Sequence, residues 1–323
     1  MTRHFLPLAL AALLVPGAAF ASCADMTTPI GETFLVIGAP QPTSNLVIYA
    51  DEEDAVLIDF EGTESRGRPP LAAQKRLCLL IAEARLVGAN AGDLRRHLIL
   101  THAHIDHHGR ALGEAIDDLG YQIILHEEAL SDLRDPDRCT DFDFAIRPDP
   151  SWANDLPDSS LTVLHDDMDL ELASGEVVEI RHVDGGHTSG DLVVRFREAN
   201  VIAAGDIFFH EEFPFIDLHN GGSVTKMVEA LQTLADLADE ETTIIPGHGP
   251  IATRADVLST LEELDRVSAQ IREFADQGFT VDEIFNLADP TADLDWREVL
   301  SRRRFIELVY FDHKGEPRNP DCS

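Results

Sequence analysis

Hydrophobic and polar positions along the chain change period several times, and each change marks an element. Three short apolar runs, "TFLVIGA", "NLVIYAD" and "AVLIDFEG", lie between turn residues and read as strands. Residues 72–85 place apolar side chains at helical spacing, and a buried-type strand, "HLILT", follows. "RALGEAIDDLG" reads as a helix, "YQIIL" as a strand and "EEALSDLR" as a helix. Residues 135–157 are rich in Asp and Pro and read as an irregular loop. "LTVLHDDMDLELASGEVVEIRHV" alternates with period two, as hairpin strands do, and "DLVVRF" and "VIAAGD" are further strands. A helix over "SVTKMVEALQTLADLAD" precedes a last strand, "TTIIPGHG". Beyond it the pattern is helical: "RADVLSTLEELDRVSAQIREFADQ", "TVDEIFNLA" and "WREVLSRRRFIELVYF". Strands with interleaved helices, then a helical tail, predict an α/β chain whose sheets are covered by helices.

The first residues do not follow these patterns. Arg3 and His4 precede the apolar stretch "FLPLALAALLVPGAAF", which closes on Ala19, Phe20 and Ala21. That order predicts a secretory signal peptide over residues 1–21 and a mature chain that starts at Ser22 and is periplasmic or secreted. A lipid anchor on Cys23 is the alternative, but Phe20 stands where a lipoprotein signal places a Leu-like residue. Nothing later reads as a membrane span. The cysteines are Cys23, Cys78, Cys139 and Cys322. They allow three full pairings in an oxidising compartment, and Cys78 in its helical apolar run also reads as a simple buried thiol. The predicted organisation is a main domain over 22–253 and a helical extension over 254–323 packed on it.

Composition narrows the partners. The formal net charge is −34 over 323 residues, with lysine only at Lys75, Lys226 and Lys314. Such a surface repels phosphate backbones, which excludes nucleic acid and leaves a small molecule as the substrate. Oligomeric state stays open.

The chemistry lies where strands finish. "LILTHAHIDHHGR" puts four histidines and an aspartate within His102–His108; "DGGHTSGD" carries His187, "VIAAGD" ends on Asp206, and "TTIIPGHG" carries His248. Residues two apart on an extended segment face one way, so His102 and His104 can grip one ion. If the chain turns helical after them, Asp106 and His107 point past that ion toward a second. Imidazole suits zinc, and a carboxylate can join two cations. Glycines beside these residues, Gly205 and Gly247 among them, leave room where a side chain would block a metal. His108, His182 and His210 fall outside the pattern and read as packing or surrounding residues. Asp59 is a candidate to orient a ligand histidine, and Asp191 reads as either a supporting or a turn residue.

"THAHIDHHG" resembles the HxHxDH motif of the metallo-β-lactamase superfamily, and "GGHTSGD", "AGDIFF" and "PGHGP" are similar to its later motifs, in order. The resemblance implies an αββα sandwich with two Zn²⁺ at one edge, iron or manganese being alternatives. It implies His102, His104 and His187 at the first ion, Asp106, His107 and His248 at the second, and Asp206 bridging both. It also implies hydrolysis by a hydroxide shared between the ions, with Asp106 as the catalytic carboxylate that orients it and shuttles a proton.

Departures from subfamilies refine this expectation. True β-lactamases of the superfamily carry Cys or Ser where Asp206 stands, so the chain is closer to glyoxalase II and lactonase-like hydrolases. Quorum-signal lactonases carry a tyrosine where Phe209 stands. Oxygen-reducing di-iron members carry Glu in place of His104. A small ester, thioester, lactone or lactam is therefore the expected substrate. A β-lactamase with the same site, and a non-catalytic binding member of the fold, are the alternatives. "DIFFHEEFPFIDLHNGGS" is expected to form an apolar wall beside the metals, and Tyr310 and Phe311 either cap the pocket or pack on the sandwich.

Overall fold

The computed structural model describes residues 23, 25–38, 44–60, 78, 86, 94–108, 120–135, 151–154 and 156–315. The signal segment, the helices expected over 72–85 and 110–120, Arg110, Cys139 and Cys322 lie outside them, apart from single positions.

Two sheets stack face to face. The first runs β1 (Thr27–Ile30), β2 (Phe34–Ile37), β3 (Leu46–Ala50), β4 (Asp54–Ile58), β5 (Arg95–Ile99), β6 (Gln122–His126) and β7 (Leu161–Leu164). Its first four strands are an antiparallel meander, and β4 to β7 are parallel. The second sheet has the order β12 (Thr243–His248), β11 (Val201–Phe209), β10 (Asp191–Phe196), β9 (Val177–Val183), β8 (Met168–Glu171). It is antiparallel except for β11 and β12.

The alternation of side chains along each strand builds three apolar layers. Val56, Ile58, Ile99 and Ile124 of the first sheet meet Val178, Ile180, Val194 and Ala203 of the second. Leu57, Leu98, Ile123 and Leu125 point the other way, onto Ala129 and Leu133 of α1 (Glu127–Arg134). Val193, Ile202, Ala204 and Ile244 point outward onto α2 (Val224–Leu237), α3 (Arg254–Asp276) and α4 (Arg302–Lys314). This is an αββα sandwich. Each fully buried Leu, Ile, Val or Phe contributes roughly 1.5–3 kcal/mol. Among the described residues no helix is long and apolar enough to cross a membrane.

Several elements depart from the sequence expectation. The alternating stretch 161–183 is not one hairpin system. β7 closes the first sheet beside β6, while β8 and β9 pair in the second. Period two identifies strands but not their partners. The tail helix begins at Arg302, capped by Ser301, whose hydroxyl accepts the Arg304 N–H at 3.3 Å. Residues 296–301 before it are irregular instead, with Arg297 held to the loop after β11 by an isolated backbone bridge and an ion pair to Glu212. Ser151–Asn154 forms a helical turn inside the expected loop, and the edge strand β1 was not expected. Cys78 is buried, but as half of a Cys23–Cys78 disulfide rather than as a thiol. Tyr310 packs on the outer cluster, on the sandwich.

Candidate metal centre

The parallel strand β5 ends at Ile99, and the next residues cross the edge of the sandwich. Thr101 to His104 stay irregular, and Ile105–His108 makes one helical turn, with the His107 N–H donated to the His104 carbonyl at 3.0 Å. The turn places Asp106 and His107 on the far side of His102 and His104. Opposite, the β9–β10 connection brings His187, β12 ends on His248, and β11 brings Asp206. Asp206 is not at a strand end: β11 runs on to Phe209. Its pairing with β12 slips between Gly205 and Phe209, a bulge that turns the carboxylate into the site while the strand continues.

All seven candidate ligands converge, as two groups whose donor atoms lie within 4.8 Å of one another: His102, His104, His187 and Asp206, then Asp106, His107 and His248. In the first group His187 Nε2 is 2.7 Å from His104 Nδ1. In the second, His248 Nε2 is 3.4 Å from His107 Nε2 and 3.4 Å from Asp106 Oδ2. Asp206 faces both: Oδ2 is 3.5 Å from His187 Nε2 and 3.4 Å from His248 Nε2, and Oδ1 is 3.1 Å from His107 Nε2.

The outer nitrogens fix which ring atoms look inward. His107 Nδ1 donates to Asp59 Oδ2 at 2.7 Å, and His187 Nδ1 donates to the Phe215 carbonyl at 2.8 Å. Thr101 spends its hydroxyl proton on Asp59 (2.9 Å), so it accepts from His102 Nδ1 at 3.0 Å. His104 Nε2 donates to Asp217 Oδ2 at 2.8 Å. These tautomers follow from the hydrogen-bond network. They leave the lone pairs of His104 Nδ1 and His187 Nε2 facing each other, an arrangement that requires a cation or a proton between them. His102 Nε2 is buried with no hydrogen-bond partner. The donor set thus fits metal ions.

Charge is distributed to match. Burial, then the neighbouring imidazoles of His107 and His187, hold His102 well below the ordinary histidine pKa. Burial opposes protonation of His107 and His248 too, but Asp206 and the other carboxylates outweigh it; His107 stands well above the ordinary value, and His248 is raised to about 10. Burial opposes ionisation of Asp206, and His107 and His248 outweigh it, so its carboxyl is held far below the usual range. The metal-free second group therefore holds protons that an entering ion must displace.

Asp59 orients His107 and also receives the Thr101 N–H at 2.8 Å, from a backbone with φ 60°. Asp191, buried at the start of β10, accepts the His187 N–H at 2.6 Å; burial raises its carboxyl to about 6. His108 is buried outside the groups, with Nε2 3.2 Å from the Ala103 carbonyl. His182 stacks on His126 at 3.6 Å, and His210 contacts the Pro250 carbonyl. Two Phe-rich-loop residues do line the site: Phe209 stacks on His248 at 5.2 Å, and Phe215 lies 5.7 Å from both His104 and His187. All four phenylalanines belong to the outer core, and Phe208 and Phe213 make their ring contacts elsewhere, with His210 and with Trp296 and Phe305. Sequence reasoning missed Thr101 and Asp217. The signal for Asp217 was a lone acid within the apolar run "FPFID".

Residues 38–248 match the metallo-beta-lactamase superfamily. No curated protein matches the chain. Among solved structures, it is similar to a metallo-beta-lactamase family protein from Thermus thermophilus, at 20% identity over 89% of this chain and 90% of that one (TM-score 0.57). It is also similar to the sec-alkylsulfatase Pisa1 from Pseudomonas sp., at 13% identity over 91% and 51% (TM-score 0.58). A metallo-beta-lactamase from Pontibacter korlensis aligns at 18% identity over 74% and 98% (TM-score 0.50). At these identities the likeness is one of fold. With well over half of its length matched and the fold shared, the chain belongs to the metallo-beta-lactamase superfamily.

Proposed function

We propose that this chain is an exported dinuclear metallo-hydrolase of small acyl compounds, namely esters, thioesters or lactones, with β-lactams cleaved more slowly. The observation that carries the reading is Asp206, one buried carboxylate facing both imidazole groups. His102, His104 and His187 would hold one ion and Asp106, His107 and His248 the other, with Asp206 shared. The nitrogen and oxygen donors suit zinc, and also iron or manganese. Bound there, two divalent ions would polarise a carbonyl oxygen and supply a water nucleophile at neutral pH.

The chain's own residues supply the rest. Phe209 and Phe215 keep bulk water from one side of the site. Asp106 is the more accessible of the two carboxylates, its side chain 36% exposed against 5% for Asp206. Asp106 would hold the second ion through Oδ2, the oxygen that faces His107 and His248, and would orient the attacking water and relay its proton to the leaving oxygen or sulfur. No cationic side chain in the sequence is an obvious partner for a lactam carboxylate, and Lys226 in α2 is paired with Asp184 at 2.8 Å.

The expected ordering is a kcat/KM for a chromogenic lactone or ester above that for a chromogenic cephalosporin. A tenfold preference for the cephalosporin, roughly 1.4 kcal/mol of transition-state stabilisation, would make the protein a β-lactamase. Ions bound without turnover of any of these would make it a binding protein.

Export is supported by the signal pattern over residues 1–21 and by the Cys23–Cys78 disulfide, which suits an oxidising compartment. A sulfur committed to that bond cannot also carry lipid. The intact mass of the protein recovered from a bacterial periplasm should correspond to a chain beginning at Ser22 with a thiol-free Cys23. A full-length mass, or a lipid adduct, would refute this.

A further inference from the structure

The two histidines that approach most closely, His104 and His187, are braced from a single loop. After β11 the chain passes through Phe215 and Asp217 before α2 begins. Phe215 accepts the His187 Nδ1 proton on its carbonyl at 2.8 Å. Asp217 does three things at once. Its Oδ2 accepts from His104 Nε2 at 2.8 Å and from Asn220 Nδ2 at 2.6 Å. Its N–H donates to the His187 carbonyl at 3.0 Å. Its carbonyl accepts from Gly222 N at 2.9 Å, which ties the loop into a closed turn. Gly222 is required there, because a Cβ would overlap the His187 carbonyl oxygen. Asp217 is fully buried, so removing its carboxylate leaves the N–H donors of His104 and Asn220 without their acceptor.

Within the first group the dependence on this loop is uneven. His102 is oriented by Thr101, its own chain neighbour, and through it by Asp59. His107 is oriented directly by Asp59. Asp217 touches neither. Its carboxylate holds the His104 proton on Nε2, and so presents the Nδ1 lone pair to the shared centre.

We propose that Asp217 is a positioning residue that sets the affinity of the first ion site through His104, and leaves the second site to Asp59. The proposal rests on the reading of the two histidine groups as ion sites. A carboxylate behind a ligand imidazole typically contributes about 10–100-fold to metal affinity, by fixing the ring and raising its basicity.

The test is equilibrium dialysis of the full mature chain against Zn²⁺, with bound metal measured by elemental analysis. Wild type should take up two equivalents. Asp217→Ala should keep one tight equivalent and bind the other about 10–100-fold more weakly. Asp217→Asn keeps an oxygen acceptor without the charge and should fall between the two. Adding Asp217→Ala to His104→Ala should cost little more, whereas adding it to His107→Ala should weaken both equivalents. Cobalt substitution gives a second readout, since only one of the two sets of visible absorption bands should weaken. If Asp217→Ala fails to fold, Asp217→Asn decides. Two equivalents with wild-type affinity in the folded variants, or additivity with His104→Ala, would overturn the proposal while the ion sites stand. A wild type that takes up no zinc would overturn both.

Discussion

Asp206→Ala should abolish turnover and empty both ion sites together. The expected loss in kcat/KM is at least about a thousandfold, roughly 4 kcal/mol of transition-state stabilisation. The reason is geometric: among the described residues, no other carboxylate lies against histidines of both groups. Elemental analysis of the variant should show well under one ion per chain, against about two for wild type. His108→Ala is the matched control, since that ring meets backbone on the site's outer side, and it should keep both ions. The metal-free proteins offer an independent readout. His248 is raised from 6.5 to about 10, by Asp206 before its other partners, against the opposing effect of burial. A raised folded-state pKa stabilises fully below the unfolded value and is lost as pH climbs through the folded one. Metal-free wild type should therefore lose thermal stability between about pH 6.5 and pH 10, and Asp206→Ala should lose less over the same interval. Retention of two ions by Asp206→Ala, or identical pH profiles, would remove Asp206 from its central place.

Much of this site is legible in the sequence, because its ligands lie at fixed offsets within short segments. His102, His104, Asp106 and His107 occupy one strand exit and one helical turn, where local geometry alone decides which way each points. The unbroken apolar runs in "AVLID", "LVVRF" and "VIAA" likewise anticipate sheets buried on both faces, as Leu57 and Val56 show by pointing into different layers. What was not legible depends on contacts between distant segments. Asp217 reaches His104 across 113 positions, and the lone acid in "FPFID" marks the residue but not its partner. The β11 bulge depends on β12, roughly 40 residues on, so Asp206 reads as a strand end when it is a strand interior. The late start of α4 goes with Glu212, whose buried carboxylate pairs with Arg297 and whose backbone bridges it, against the helical periodicity of that stretch. The Cys23–Cys78 pairing is a choice that spacing cannot make.

Gly247→Ala tests how tightly the backbone is fitted around the shared carboxylate. A Cβ at this position would overlap Asp206 Oδ1, and would lie 2.7 and 2.8 Å from the carbonyl carbon and oxygen of Gly205. A flexible side chain could swing away from the first contact, but the second and third are backbone. Retreat of the two strands is resisted on both sides. Gly205 is paired with Pro246 in the parallel ladder, and the Gly247 carbonyl accepts the Asn45 N–H at 2.8 Å. The side chain of Asn45 holds the flanking Pro246 and Gly249 carbonyls as well, at 2.9 Å each. The methyl group must therefore displace the Asp206 carboxylate from between the two histidine groups. Overpacking of this kind costs about 1–3 kcal/mol, which a sandwich with three apolar layers survives with a melting temperature lower by several degrees. The site should not survive it. Metal content should fall below half of wild type, and kcat/KM by at least about a hundredfold, roughly 2.7 kcal/mol. A folded Gly247→Ala protein with two ions and wild-type turnover would mean that Asp206 does not need the position this structure gives it.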